Sequence, residues 1–171
     1  ATRPTPQPGP GEVLVQVAAA GVNRADLLQV AGQYPPPPGE PDYPGLEVAG
    51  RVIAVGPPAP STPAPTGRER PAEPKEAHST PEDILGEGGQ REWATPAVGD
   101  RVAALLAGGG YASHAVVPAA QTMPVPDTLS DAEAAALPEA LATVWSNLVG
   151  VGDRPVGDLK RGETLLVIGG S

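Results

Sequence analysis

The side chains that most often carry chemistry in proteins are scarce in this sequence. It contains no cysteine and only two histidines, His78 and His114. Cysteine nucleophiles, disulfides, iron–sulfur clusters and zinc sites with thiolate ligands are therefore excluded. His78 lies in a proline-rich segment and His114 in a predicted strand, so we do not expect them to form a metal site together. The sequence predicts no resident metal.

The end of the sequence carries a different chemical signal. Residues 163–168 form a nearly continuous apolar run that is typical of a strand inside a parallel sheet. Gly169, Gly170 and Ser171 follow it directly. A strand that leads into glycines can begin a dinucleotide-binding fold, in which backbone N–H groups hold a pyrophosphate. A plain turn is the alternative, and two glycines alone do not decide between the two interpretations.

Charge and hydropathy exclude other classes of function. The 171 residues include 20 acidic and 11 basic side chains, for a formal net charge of −9. A nucleic-acid-binding surface must attract phosphates, and this balance argues against one. The sequence has neither an apolar run long enough to span a membrane nor a secretory signal segment. We therefore expect a cytoplasmic protein without nucleic-acid or membrane partners.

Short strands are the main elements that could position a site. Alternating apolar residues predict a strand at 12–17, and a second strand is predicted at 47–55. Apolar runs at 100–107 and 111–117 predict two more strands, joined as a hairpin through the three glycines at 108–110. A short edge strand, interrupted by a proline, is predicted at 121–125.

Helix-capping patterns locate the helices. Asn23 is a good N-cap, and Asp26 stands three residues later as its capping partner, which predicts a helix at 24–30. Ser130 and Glu133 form a second capping box, which opens an alanine-rich helix. Pro138 restarts that helix as a first-turn residue, and Glu139 next to it favours the helix N-terminus through the helix dipole.

A proline-rich stretch interrupts the predicted regular structure. Residues 57–97 contain nine prolines and eleven charged residues, which cannot build a core. We interpret this stretch as a mostly disordered insertion, and a docking segment for a partner is the alternative. The insertion lies within a first domain at 1–129. Residues 130–171 are predicted to hold crossover helices and the strand at 163–168.

Five stretches in one order resemble a known family. They are PGPGEVLVQVAAAGVNRADLLQVAGQYPPPPG, YPGLEVAGRVIAVGP, VGDRVAALLAGGGYASHAVVP, LSDAEAAALPEALATVW and LKRGETLLVIGGS. Together they resemble the N-terminal half of a zinc-independent NADPH:quinone oxidoreductase of the zeta-crystallin and p53-inducible type, within the medium-chain dehydrogenase/reductase superfamily. The resemblance implies a mainly β fold with short helices. This would be a GroES-like antiparallel β-barrel catalytic domain, followed by the first strand of a truncated Rossmann domain.

The resemblance bears on the metal question residue by residue. Zinc-dependent relatives have cysteine where this chain has Asn23, and histidine where it has Leu46. Only Glu47 remains of that ligand set, and a single carboxylate cannot supply the four ligands that zinc requires.

The resemblance also implies site residues and a reaction. Asn23 and Tyr34 match positions that line the nicotinamide and quinone cleft, where neutral donors would stabilise charge on the acceptor oxygen. Thr143 matches a position near the nicotinamide, and Gly169, Gly170 and Ser171 match the phosphate loop. Simpler roles stay open: a helix cap for Asn23, packing on the neighbouring prolines for Tyr34, and an ordinary helix hydroxyl for Thr143.

The expected function is NADPH-dependent hydride transfer to a quinone or an α,β-unsaturated carbonyl without zinc. The 171-residue chain alone is expected to be inactive, since its phosphate loop is incomplete, and a homodimer is open for the complete enzyme. One alternative is an enoyl reductase acting on acyl thioesters. The other is a non-catalytic GroES-like binding module whose proline-rich segment docks a partner.

Overall fold

A computed structural model describes residues 2–60, 95–148, 157, 159–160 and 162–168. The chain divides into two compact units. The first comprises residues 1–61 and 93–142, and the second comprises residues 62–92 and 143–171. The regular β-structure of the described residues lies in the first unit.

One antiparallel sheet dominates the first unit. Within the described residues its five strands follow the order β4-β1-β2-β3-β5, which makes β4 and β5 the outer strands. The strands are β1 (Glu12–Ala20), β2 (Glu47–Val55), β3 (Arg101–Leu105), β4 (His114–Pro118) and β5 (Thr122–Pro124). A 3₁₀ turn (Ala119–Gln121) joins β4 to β5. The predicted mainly β fold is confirmed.

Short helices connect and cover the strands. Helix α1 (Arg24–Val30) follows β1, and its bounds agree with the predicted ones. Helix α2 (Asp131–Ala135) begins at the Ser130 capping box, and α3 (Pro138–Leu148) begins at the predicted proline. No helix in the described part of the chain is long and apolar enough to cross a membrane.

The two faces of the sheet are buried in different ways. Valines fill one face, with Val13, Val15 and Val48 fully shielded from solvent. On the other face, Ala49 and Ala103 contact Ala134 and Ala135 of α2. Because alanine ends at Cβ, the backbone of α2 can approach the strands closely, and this short helix covers one end of the sheet.

The predicted hairpin of β3 and β4 is wrong. Strand β3 pairs with β2, whereas β4 pairs with β1 at the other side of the sheet. The intervening glycines do not close a turn but bond to the segment before β2. The backbone N–H of Gly109 donates to Tyr43 O (2.7 Å), and that of Gly110 donates to Gly45 O (2.9 Å). Glycines allow this close backbone approach, which carries the chain across the sheet before β4 starts.

The C-terminal part of the chain differs from the prediction in one respect. Residues 163–168 carry no regular secondary structure, and the side chains of Leu166 and Ile168 are more than four-fifths exposed. An apolar run becomes a strand only when neighbouring strands accept its backbone hydrogen bonds, and none pairs with it among the described residues. Gly169, Gly170, Ser171 and most of 57–97 lie outside the described residues, so the predicted insertion and domain boundaries stay predictions.

Candidate active site

Helix α1 is held at its first turn by Asn23 and Asp26. The backbone N–H of Asn23 donates to Asp26 Oδ2 (2.7 Å), and the N–H of Asp26 donates to the Asn23 carbonyl (3.1 Å). The prediction that Asp26 is a capping partner is therefore confirmed. The side-chain amide of Asn23 reaches further, because its Nδ2 donates to Glu47 Oε1 at 2.8 Å.

Asp26 is a buried carboxylate that ties three segments together. Only 2% of the residue is exposed. Its Oδ1 accepts from the backbone N–H of Gly45 (3.1 Å), and its Oδ2 accepts from the Tyr111 hydroxyl (2.9 Å) as well as from Asn23. These donors replace the water that a buried carboxylate loses. Asp26 thereby fixes the start of α1 against the segments that precede β2 and β4.

Glu47 is the second buried carboxylate, also 2% exposed, and it opens β2. Its Oε1 accepts from Asn23, and its Oε2 accepts from the backbone N–H of Glu139 at 2.9 Å. Glu139 is the second residue of α3, where backbone N–H groups lack partners within the helix and the dipole favours negative charge. Glu47 therefore joins the start of α3 to the side chain of Asn23.

Gly21 makes room for the Glu47 carboxylate because it has no side chain. A Cβ built on Gly21 would overlap Glu47 Oε1 and lie 2.7 Å from the Ala135 carbonyl. The backbone N–H of Gly21 also donates to the Glu47 carbonyl at 3.2 Å. Any residue other than glycine would push the Glu47 carboxylate away from Asn23.

Tyr111 completes the group through its hydroxyl. The hydroxyl donates to Asp26 and lies 3.2 Å from the Gly21 carbonyl. Burial raises the pKa of Tyr111 to about 12, with further contributions from the hydrogen bond to Asp26 and the negative charges of Asp26 and Glu47. At neutral pH the hydroxyl keeps its proton and remains a donor. We call Asn23, Asp26, Glu47 and Tyr111 the carboxylate cluster.

The hydrogen bonds of this cluster do not include the other predicted site residues. Tyr34 follows α1 and is half exposed, and none of the described residues bonds to its hydroxyl. Thr143 belongs to the second unit and is exposed on α3, where its carbonyl accepts from Asn147 Nδ2 (2.7 Å). Gly169, Gly170 and Ser171 lie outside the described residues.

Tyr111 and the role of Glu47 are not predicted from the sequence. The resemblance leaves Glu47 only as the remainder of a zinc ligand set, although an acidic residue at the start of a buried strand is a signal in itself. The signal for Tyr111 is weaker, since a tyrosine after three glycines suggests a turn as readily as a site. His114 contacts Ser113 Oγ (3.0 Å), and the described residues hold no group of three or more metal-binding side chains.

The antiparallel sheet with its short capped helices defines a GroES-like domain. The pattern of the family described as "Alcohol dehydrogenase GroES-like domain" matches residues 9–127. That match covers well over half of the chain, which therefore belongs to this family.

Relatives extend the match beyond this domain. A polyketide synthase from Streptomyces halstedii (GfsB) is 34% identical over 157 residues, which is 92% of this chain and 2% of the synthase. The rat synaptic vesicle membrane protein VAT-1 homolog is 33% identical over 162 residues, which is 95% of this chain and 30% of that protein.

Solved structures agree with the sequence comparison. A mycobacterial quinone oxidoreductase is 31% identical with a TM-score of 0.57 over 86% of this chain and 35% of its own. The quinone oxidoreductase of Thermus thermophilus, solved also with NADPH, is 27% identical with a TM-score of 0.51 over 85% of this chain and 34% of its own. The chain thus spans about a third of these proteins, and the resemblance to quinone oxidoreductases of the medium-chain superfamily is confirmed.

Proposed function

We propose that the protein containing this domain transfers hydride from NADPH to a quinone or an α,β-unsaturated carbonyl without zinc. The observation that carries the proposal is the anchored amide of Asn23. It belongs to a GroES-like domain whose relatives include quinone oxidoreductases, and the family resemblance matches it to the position at which zinc-dependent relatives have a cysteine.

The reaction requires stabilisation of negative charge. Hydride that arrives at a conjugated carbonyl places negative charge on the acceptor oxygen, and fixed neutral donors stabilise it. Asn23 has two protons on Nδ2 and gives one to Glu47; no other described residue accepts the second, which we assign to the acceptor. The hydroxyl of Tyr34 is the second proposed donor, and its half-exposed position leaves it accessible to a substrate.

The residues at the zinc position do not fit zinc. Leu46 is apolar, Asn23 binds Glu47 through its amide, and both carboxylate oxygens of Glu47 accept from neutral donors. Zinc would have to displace those donors to gain one ligand. We therefore derive no step through a metal. We predict that elemental analysis after dialysis against a chelator finds far less than one zinc per chain; about one zinc per chain would contradict this proposal.

NADPH is the proposed cofactor, because the Thermus quinone oxidoreductase was solved with it. When bound, it supplies the hydride. We propose that Thr143, Gly169, Gly170 and Ser171 contribute to holding it. Of these residues only Thr143 is described, and its exposed position on α3 makes it accessible to a ligand.

Enoyl reduction on acyl thioesters is the second candidate function. It is favoured by the similarity to a polyketide synthase, the most identical of the relatives reported above. The two candidates share the hydride geometry and differ in the acceptor. Comparing kcat/KM for a quinone with that for an enoyl thioester, using the complete protein, separates them.

The decisive variant is Tyr34→Phe in the complete protein. It removes one donor and keeps the ring, so kcat/KM for the preferred acceptor should fall by about 10- to 1000-fold. NADPH affinity should change little. Tyr43→Phe is the matched control, since it removes a hydroxyl from a residue whose ring packs under Arg3. Equal rates in the wild type and in Tyr34→Phe would remove Tyr34 from the site.

A further inference from the structure

Glu47 distinguishes the two ends of the Asn23 amide. With Nδ2 directed at Glu47 Oε1, a donor meets a carboxylate. Turning the amide by half a rotation would direct Oδ1 at the same carboxylate, so that one acceptor would face another. Because Glu47 is buried, that alternative is costly.

The backbone of Asn23 is fixed separately. Its N–H is bound to Asp26 at 2.7 Å, and its carbonyl accepts the N–H of Asp26. The remaining freedom of Asn23 lies in its side-chain torsions, and Glu47 is the group that sets them.

We propose that Glu47 is a positioning residue, which orients Asn23 so that the second Nδ2 proton is presented to the acceptor oxygen. This inference rests on the proposed function, in which Asn23 donates to that oxygen. Glu47 itself is buried and acts only through Asn23.

The chemistry of the site requires a carboxylate and not an amide. Glu47 receives two donors, the Asn23 amide and the backbone N–H of Glu139. Glutamine at this position offers one acceptor oxygen, and its NH₂ group must face the other donor. The N–H of Glu139 cannot turn because it belongs to the helix backbone, whereas the Asn23 amide can. We therefore expect Glu47→Gln to reverse the Asn23 amide.

Nuclear magnetic resonance can detect this reversal directly. The sequence has only two asparagines, Asn23 and Asn147. Selective ¹⁵N labelling of asparagine therefore gives two side-chain amide groups. In the wild type, one Asn23 proton should lie downfield and exchange slowly, since it donates to a buried carboxylate. Glu47→Gln should remove that signature.

Asn147 supplies the internal control for this measurement. Its amide donates to the Thr143 carbonyl, so its resonances should not move in Glu47→Gln. Absence of a downfield, protected Asn23 proton in the wild type would overturn the proposal even if the variant does not fold. An Asn23 signal that is unchanged in a folded Glu47→Gln variant would overturn it as well.

Kinetics of the complete protein test the consequence for the reaction. Glu47→Gln should lower kcat/KM for the acceptor by about 10- to 100-fold, up to the loss of one oriented donor. NADPH affinity should be unchanged. Glu12→Gln is the matched control, because Glu12 also opens a strand and accepts a backbone N–H, that of Gly9 (2.8 Å), away from the cluster. It should keep wild-type rates.

A double variant separates positioning from simple support of the fold. Asn23→Asp combined with Glu47→Gln keeps a hydrogen bond between the two positions, donated by the glutamine NH₂ to a carboxylate, but leaves no amide proton for the acceptor. Thermal stability should be at least that of Glu47→Gln, because a carboxylate is the stronger acceptor, while the rate should not recover. Recovery of the rate would show that Glu47 only supports the fold, and would overturn the proposal.

Failure of the proposed function gives a different result. A complete protein that reduces neither quinones nor enoyl thioesters would overturn the hydride-transfer proposal, and with it the role of the second Asn23 proton. The resonance experiment would still decide whether Glu47 orients the Asn23 amide.

Discussion

The chain starts two helices with the same four-residue capping pattern, yet the two caps do different things. At α2, the Ser130 hydroxyl accepts from the N–H of Glu133 (3.2 Å), and the Glu133 carboxylate accepts from the N–H of Ser130 (2.8 Å). Both side chains satisfy the helix end locally, and Glu133 is exposed. At α1, the corresponding carboxylate of Asp26 is buried and also binds residues far along the chain.

The difference shows how a local helix cap can become part of a functional site. Asp26 keeps its capping bond to Asn23 and adds Gly45 and Tyr111, while the Asn23 amide extends to Glu47. Each added partner comes from another segment of the fold. The α1 cap thereby fixes a polar side chain in space, whereas the α2 cap only begins a helix.

The largest expected effect is that of Asp26→Ala. The backbone N–H groups of Gly45 and Asn23 would lose their acceptor, and the Tyr111 hydroxyl would keep only the Gly21 carbonyl; unsatisfied buried donors are expensive. The free energy of unfolding should fall by roughly 3 kcal/mol or more. Urea unfolding followed by circular dichroism measures this. Glu133→Ala is the matched variant in the exposed cap and should lower the free energy of unfolding far less. Equal losses in the two variants would show that burial does not distinguish the two caps.

The two N-cap residues give the next comparison. Asn23→Ala keeps the backbone bonds of the cap but leaves Glu47 Oε1 without its donor, for an expected loss of about 2 kcal/mol. Ser130→Ala removes only a cap, for about 1 kcal/mol. Thermal or urea unfolding of both variants ranks them. A larger loss for Ser130→Ala would mean that the Asn23–Glu47 bond contributes nothing to stability.

Local signals in the sequence predicted much of the fold. The capping pattern of Asn23 and Asp26 indicated α1, and alternation of apolar residues indicated β1. Strand β1 runs three residues beyond its prediction, to Ala20, because its last residues pair with the start of β2. Such pairing joins residues far apart in the chain, so a short stretch of sequence does not reveal it.

The carboxylate cluster could not be assembled from local signals for the same reason. Tyr111 reaches Asp26 across 85 positions, and Glu139 reaches Glu47 across 92. Family resemblance predicted Asn23 as a site residue, and spacing predicted Asp26 as a helix-capping residue. The hydrogen-bond partners of Asn23 and Asp26 depend on which strands lie next to each other in the sheet. The strand order was predicted wrongly at this point, because the glycines at 108–110 suggested a hairpin that the fold does not make.

Alkaline pH tests the buried cap through Tyr111. Its pKa is raised from 10.0 to about 12, so the protonated hydroxyl is favoured in the folded state. This contribution to stability is fully present below about pH 10 and is lost as the pH rises towards 12. In a spectroscopic titration of tyrosinate, the component that disappears in Tyr111→Phe should have its midpoint near 12. A midpoint near the ordinary value of 10.0 would show that Asp26 and burial do not act on this hydroxyl.

The smallest expected change in stability is that of the exposed Ser130–Glu133 cap at acidic pH. Hydrogen bonds from the hydroxyl and the backbone N–H of Ser130 lower the pKa of Glu133, because they stabilise its charged form. A lowered pKa means that the contribution to stability is present above the usual glutamate range and is lost as the pH falls through the folded-state pKa. Ser130→Ala removes the hydroxyl bond, so the pKa of Glu133 should rise towards its usual range, as a carboxyl-carbon resonance titration would record. The same variant should leave the Tyr111 titration unchanged, because Ser130 bonds to none of the carboxylate cluster among the described residues; a coupled shift would mean that the two caps do not act independently.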